Sequence, residues 1–303
     1  MTLQQLKYLI AIVEEGSISK ASKVLLVSQP SLSKSIFDLE KEMGIKIFKR
    51  TNRGVSLTEE GEIFLAYSRS VVEQADFLEN NYKKKEVTKR VFSISSQHYA
   101  FVVNAFVMLV KEYGENKYEF SLRETTTSQI IEDVKSLRSQ IGIMYLSNFN
   151  KNIILGILER EDLEFHSIFK AKPHIFISKD NPLAKKDNIS LEDLKEYPRL
   201  SYEQDKNNSF YFAEELFPTE YSPKNIVVTD RASIFNLMIG LNGYTITSGV
   251  LSKDLNGTGI IAKILDADEE MNIGYISLKN RPIDFISKSY IKYLKEYIEN
   301  FSK

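Results

Sequence analysis

Apolar residues at Leu3, Leu6, Ile10 and Val13 recur at spacings of three and four, which predicts an amphipathic helix over 3–13, stopped by Gly16. Ser17 is placed to cap a second helix, Ile18 to Leu25, with Ile18, Ala21, Val24 and Leu25 turned inward. Ser28 is a second N-cap, and Pro30 falls in the first helical turn, where its missing N–H is harmless. The helix it opens carries Leu32, Ile36, Leu39 and Met43 on one face and ends at Gly44. A strand from Ile45 to Lys49, a polar turn at Thr51-Asn52-Arg53-Gly54 and a returning strand from Val55 to Leu57 then read as a β-hairpin with a cationic tip. Helices followed by such a hairpin make a winged helix-turn-helix over residues 1–57.

Thr58 caps a long helix running to about Lys85, in which Phe64, Val71 and Leu78 recur every seven residues beside Tyr67, Ala75 and Tyr82. On so small a domain this pattern predicts a dimerisation arm, with residues 58–90 serving as linker and the charged stretch Lys83 to Arg90 as hinge. From Val91 the texture changes. Strands are expected at 91–95, 118–124, 141–145, 174–178, 226–229, 244–247 and 273–278, and helices at 100–113, 128–138, 234–241 and 284–301. Alternation of this kind predicts an α/β domain over 91–303 with ligands at the carboxyl ends of strands.

Composition narrows the class. In a chain of 303 residues, 43% hydrophobic and 27% charged is the balance of a folded globular protein. The longest apolar run, Ala105 to Val110, is too short to span a bilayer, and the patch Tyr8 to Val13 lacks the cleavage site of a signal peptide. The absence of cysteine excludes disulfides, thiolate nucleophiles and Cys-based zinc sites, and fits a cytoplasmic location. The net charge of −1 conceals a basic head: residues 1–57 hold nine Lys/Arg against five acids, leaving the remainder at −5. The head is therefore the part suited to a polyanion.

The head closely resembles the LysR-type transcriptional regulators. The match runs through Ala21-Ser22-Lys23-Val24-Leu25, Ser28-Gln29-Pro30-Ser31-Leu32-Ser33, Ile36, Leu39-Glu40, Met43-Gly44, Ile47-Phe48-Lys49-Arg50 and Leu57-Thr58-Glu59-Glu60-Gly61. Where the family usually shows Ala-Ala, this chain has Ala21-Ser22. The C-terminal part is similar more loosely, through Ile141-Gly142-Ile143, Asn181-Pro182-Leu183, Leu191-Glu192-Asp193-Leu194 and Gly243. The resemblance implies a two-lobed, periplasmic-binding-protein-like effector domain. Lobe I would comprise about 91–164 and 270–303, and lobe II about 165–269, with the chain crossing near 165 and near 270. It also implies promoter DNA and a small-molecule effector as partners, a homodimer or homotetramer, and no cofactor.

In such a head the third helix enters the major groove. Its leading turn would present Ser28, Gln29, Pro30, Ser31, Ser33 and Lys34, with Gln29 able to read adenine and the serines adapting to base edges or phosphates. Lys34 and the hairpin's Lys49, Arg50 and Arg53 would meet phosphates, Arg53 also reaching the minor groove. For the effector, the candidates are hydroxyls and amides after strands: Ser95, Ser96 and Gln97, then Thr125, Thr126 and Thr127, with Ser201, Tyr202, Thr229 and Thr247 on the opposite lobe. A hydroxyl-rich cleft without an acid cluster would suit a small anionic metabolite, and the effector domain looks like regulators of sulfur or amino-acid metabolism.

Signals for catalysis are poor. Ser31-Leu32-Ser33-Lys34 fits S-x-x-K without its partner motifs, and Gly257-Thr258-Gly259 is no phosphate loop. His98, His166 and His174 lack metal-ligand spacing, although His98, just after the first strand, could touch a ligand. The competing reading is a ligand-binding or catalytic domain for which the head serves mainly to oligomerise.

Overall fold

The protein is described by a computed structural model over residues 1–51, 54–83, 90–114, 117–204, 209–251 and 257–301. It forms two compact units, Met1–Thr88 and Lys89–Lys303. The hinge stretch expected between Lys84 and Lys89 and the hairpin tip at Asn52 and Arg53 lie outside the described residues.

The first unit opens with α1 (Leu3–Glu15), held by a capping box between Thr2 and Gln5 and ended by Gly16 at φ 64°. Next come α2 (Ile18–Val24) and α3 (Gln29–Met43), the latter capped by Ser28 and closed by Gly44 at φ 70°. Leu9, Ile12, Ala21, Leu32, Leu39 and Ile47 are fully buried together in one core. The face expected of α3 packs through Leu32, Ile36 and Leu39, but α1 buries Leu6, Leu9 and Ile12 rather than Leu3, Ile10 and Val13, and Val24 and Met43 are exposed. The hairpin is β1 (Phe48–Thr51) antiparallel to β2 (Gly54–Leu57). Its first strand starts later than the Ile45 expected, because residues 45–47 are pinned to α3 instead. Ile45 N–H donates to Glu40 O (3.2 Å), while Glu40 Oε1 accepts the N–H groups of Ile47 (2.8 Å) and Phe48 (3.1 Å).

Helix α4 (Glu59–Lys83) is about 37 Å long at 1.5 Å per residue. Its buried stripe is Gly61, Leu65, Ser68 and Val72, packed toward α1, where Lys7 Nζ also meets Asp76 (2.7 Å). The heptad residues Val71 and Leu78 are instead exposed, as are Ile63, Tyr67 and Phe77. The apolar seam read from the sequence is therefore a second face, separate from the one that packs within the unit. At its start Gly61 is required by close approach: a Cβ there would lie 2.2 Å from Ile47 O.

In the second unit, one sheet has the order β4 (Tyr118–Glu124), β3 (Arg90–Ser96), β5 (Ile141–Leu146), β12 (Met271–Leu278), β6 (Leu163–Ala171). The first three strands are parallel, and β12 runs antiparallel to both its neighbours. The other sheet has the order β11 (Ile260–Ile264), β7 (His174–Ser178), β10 (Tyr244–Thr247), β8 (Arg199–Tyr202), β9 (Asn225–Val228). Helices α5 (Ala100–Tyr113), α6 (Thr127–Lys135), α7 (Lys151–Arg160) and α9 (Phe285–Phe301) accompany the first sheet, and α8 (Arg231–Leu241) packs on the second. Between α5 and α9, Phe92, Phe101, Leu109 and Tyr290 build the largest core, with Tyr290 O–H donating to Val102 O (3.0 Å).

Four of the described α-helices and strands, α7, β6, β8 and β11, have no range in the sequence reading. Helix α7 carries Gly156 mid-helix and buries only Ile154 and Leu158, so its periodicity is thin. Strands β6 and β11 lie at sheet edges and are mostly half-buried on both faces, which blurs the alternation. Helix α6 stops at Lys135, short of the expected 138, where Leu137 turns to φ 61°. Because β6 stays in the first sheet to Ala171, the chain leaves lobe I after that residue, later than position 165. The return falls between β11 and β12. The two crossings are stitched together: Leu265 N–H donates to Pro173 O (3.0 Å), and Met271 pairs with Ala171.

Candidate functional site

The first unit offers a nucleic-acid interface built on α3. Leu32, Ile36 and Leu39 anchor one face, which leaves Ser28, Gln29, Pro30, Ser31 and Lys34 exposed at the leading end and Ser33 half-buried. Ser28 Oγ accepts the Ser31 N–H (3.3 Å) and donates to Ser31 Oγ (2.7 Å), so these hydroxyls cap the helix while remaining at the surface. Lys49 is exposed on β1. Arg50 lies on the same strand opposite Val55, but its side chain, like Arg53, is outside the described residues. The core behind α3 and β1 sets the backbone positions of Gln29, Lys34 and Lys49, whose side chains are exposed.

The second unit offers a cleft between its lobes, lined by His98, Tyr99, Tyr202, Glu214, Glu215, Arg231, Phe235 and Thr247 among others, with about 30 Å³ open to water-sized molecules. Two ion pairs close it. His98, after β3, donates from its backbone N–H to Glu214 Oε2 (3.0 Å) and brings its ring Nδ1 to the same atom (2.9 Å). Arg231, opening α8, places Nη2 3.3 Å from Glu124 Oε1 at the end of β4. Tyr145 O–H adds hydrogen bonds to the carbonyls of Ala213 (3.1 Å) and Glu215 (3.2 Å), and Tyr202 stacks on the His98 ring at 3.9 Å between centroids.

Burial governs the protonation of these groups. Glu215, which accepts the Tyr202 N–H (2.9 Å), is pushed up to about 8 by burial and by the neighbouring Glu214 charge. Burial likewise raises Glu124 and the phenols of Tyr99, Tyr145 and Tyr202. For His98, burial opposes the charged form, but the hydrogen bond and charge of Glu214 outweigh it and the pKa is raised. Folding therefore takes up a proton at Glu215 that the unfolded chain has released above its ordinary value of 4.5, and stability must fall as pH rises from there to about 8. His98 acts in the same direction: its contribution is full below 6.5 and is lost as pH rises through its raised value. We expect the melting temperature of the second unit to fall across this window. Glu215→Gln should flatten the slope, which at its steepest is roughly 1.4 kcal/mol per pH unit for one proton. An unchanged slope in the variant, read by calorimetry, would show that Glu215 does not hold that proton.

The sequence-expected effector residues divide. Tyr202 and Thr247 line the cleft. Ser95 does not: it is fully buried, with its hydroxyl committed to Asp133 Oδ2 (2.6 Å) and Ser139 Oγ (2.8 Å) under α6. Gln97 is a buried brace, its Nε2 donating to Thr127 Oγ1 (2.7 Å) and its Oε1 accepting the Tyr99 O–H (2.9 Å) and the Tyr145 N–H (3.1 Å). Thr127 is spent on that brace, Thr126 caps α6, and Thr125 is half-buried with its N–H on Ser96 O (2.9 Å). Ser201 donates to Asn225 Oδ1 (3.4 Å) on the other face of β8, and Thr229 is exposed away from the cleft lining. Ser96 is fully buried, and its hydroxyl has no hydrogen-bond partner.

The expectation of a cleft without acids does not hold, since Glu124, Glu214 and Glu215 gather there around His98 and Arg231. Glu214 and Glu215 escaped sequence reasoning because they sit in coil, and Glu214 meets its partner His98 across 116 residues of chain. Their one signal was a pair of adjacent acids beside the apolar Leu216-Phe217. No group of three His, Asp or Glu placed to hold a metal occurs among the described residues, nor any helix long and apolar enough to cross a membrane.

A helix-turn-helix head and a two-lobed α/β domain with a polar cleft together define a class: DNA-binding regulators that carry a ligand-binding domain on the same chain. The comparisons are specific. Residues 3–62 match the family model described as bacterial regulatory helix-turn-helix protein, lysR family, and residues 90–299 match the LysR substrate binding domain. The chain belongs to the LysR family of transcriptional regulators. Among curated relatives, it is 28% identical to the HTH-type transcriptional regulator AlsR of Bacillus subtilis, over 80% of this chain and 77% of that protein. It is 27% identical to CysL of the same organism, over 82% of each. Among solved structures, a Corynebacterium glutamicum OxyR C206 mutant shares the fold at TM-score 0.52 and 17% identity, over 99% of this chain and 92% of that one.

Proposed function

We propose that this regulator binds promoter DNA as a dimer or tetramer through the leading turn of α3 and the hairpin, and that a small metabolite in the interlobe cleft controls it. The observation that carries the reading is the division of α3. One face is locked in the core, and the opposite leading end presents Gln29, Ser31 and Lys34 to solvent. Gln29 reads base edges, whereas Ser28, Pro30, Ser33, Lys34, Lys49, Arg50 and Arg53 position the head on the sugar-phosphate backbone. The exposed seam of Tyr67, Val71 and Leu78 on α4 supplies the surface for a second copy. Closure of the lobes over a metabolite, with Tyr202 and Thr247 against it, changes the angle between them and so the spacing of the heads. The competing reading, a catalytic domain with an oligomerising head, is not favoured, because the relatives are named transcriptional regulators.

The test is gel retardation and footprinting on the gene's own upstream region at several salt concentrations. Lys34→Ala and Lys49→Ala should weaken all DNA sequences alike, each lowering the salt slope by about one. Gln29→Ala should lose about 1–3 kcal/mol of discrimination at one base pair while keeping the slope. A flat salt dependence, or wild-type retention in all three variants, would exclude this contact map.

A further inference from the structure

We propose that the segment 213–217 is a built-in plug: its Glu214 carboxylate fills an anion site after β3 as a resident self-ligand, and the cleft opens to a carboxylate-bearing metabolite that takes over those contacts. The inference rests on reading this unit as an effector-binding domain and adds what guards its site.

Glu214 lies in coil on lobe II, yet it is 5% exposed and its carboxylate sits at the end of a lobe I strand. Oε2 accepts the His98 backbone N–H (3.0 Å), and the His98 ring Nδ1 lies 2.9 Å from Oε2 and 3.1 Å from Oε1. Two donors converging on one carboxylate are the contacts a free carboxylate would receive. The segment has no helix or strand of its own. Its backbone is held from lobe I by Tyr145, whose O–H reaches the carbonyls of Ala213 (3.1 Å) and Glu215 (3.2 Å). From lobe II, Arg199 donates to the carbonyls of Leu216 (3.0 Å) and Phe217 (3.0 Å).

The other acids are already committed. Glu124 faces Arg231 at 3.3 Å, and burial beside Glu214 keeps Glu215 protonated up to about 8. Glu214 is therefore the counter-ion of His98. Withdrawing it leaves a buried cation and a backbone N–H unsatisfied, a loss that an entering carboxylate makes good bond for bond.

With the plug seated, about 30 Å³ is open, too little for a metabolite. Tyr202 and Glu215 line both this space and a groove of about 800 Å³ on the other side of β8, whereas Glu214 faces the cleft alone. The segment is thus the partition between the two, and its withdrawal joins them. Tethering holds Glu214 at an effective concentration of about millimolar or higher, so a lone carboxylate does not displace it. The metabolite must add contacts of its own.

The experiment is thermal denaturation of the full chain near neutral pH in sodium acetate, against sodium chloride at matched ionic strength. Acetate supplies the methylene and carboxylate that Glu214→Ala removes. The variant should melt below wild type, and acetate at about ten times its dissociation constant should raise its melting temperature by about 3–6 °C. Wild type, with its site filled, should respond no more than to chloride, and adding His98→Ala to the variant should abolish the response. An equal response in wild type and Glu214→Ala, or none in Glu214→Ala, would overturn the plug. Should Glu214→Ala fail to fold, Tyr145→Phe carries the test, because it removes two hydrogen bonds to the segment and keeps Glu214. Stabilisation of Tyr145→Phe by acetate supports the plug, and its absence overturns it. Footprinting of the same samples tests the underlying reading separately. An altered footprint in Glu214→Ala without an acetate response would sink the plug and keep the effector domain. An acetate response with every footprint unchanged would keep the plug and remove its control of DNA binding.

Discussion

Replacing Gln97 by Ala should lower the stability of the second unit by about 3–5 kcal/mol, which makes it one of the two most damaging single changes expected in this chain. The side chain is fully buried and ties three segments: Thr127 at the start of α6, Tyr99 before α5, and the β5 backbone at Tyr145. Truncation leaves the Tyr145 N–H and the Tyr99 hydroxyl without partners and opens a cavity. Gln97→Met fills the space but restores no hydrogen bond, so about 2 kcal/mol should remain lost. Urea unfolding followed by circular dichroism separates the two contributions. Equal midpoints for Gln97→Ala and wild type would mean the brace contributes nothing.

The second large effect is expected in the head. Gly61→Ala places a methyl group 2.2 Å from the carbonyl oxygen of Ile47. That oxygen already accepts the Thr58 N–H (3.0 Å), and Thr58 Oγ1 in turn accepts the Gly61 N–H (3.0 Å). Both sides of the clash are backbone, so relief requires α4 to lift from the segment leading into the hairpin. The expected cost is about 3 kcal/mol or more, with loss of DNA retention at temperatures the wild type tolerates. Glu40 holds the other side of the same segment, so the damage should spread to the wing. A wild-type melting curve for Gly61→Ala would contradict this packing.

The element order of the head was legible, though not each buried position, and the reason is local. The cap at Ser28, the left-handed stops at Gly16 and Gly44, and three-four spacing are written within a few residues of what they control. Gly61 was visible only as part of a family motif; the contact with Ile47 supplies its cause. In the second unit the strand ends were legible but their parity was not. Ser95 and Ser96 differ by one position, yet one turns under α6 to Asp133 and the other toward α5. Alternation along Phe92, Ile94 and Ser96 contained that answer. The acids of the cleft did not announce themselves, because the pairs His98–Glu214 and Glu124–Arg231 join segments more than a hundred residues apart.

The paired crossings beside Ala171 and Met271 have a mechanical consequence. A body hung from one tether can tumble about it, but two tethers lashed side by side leave a single easy swing and resist wobble and twist. Whatever enters between the lobes is therefore reported along one coordinate, as a door records how far it stands open.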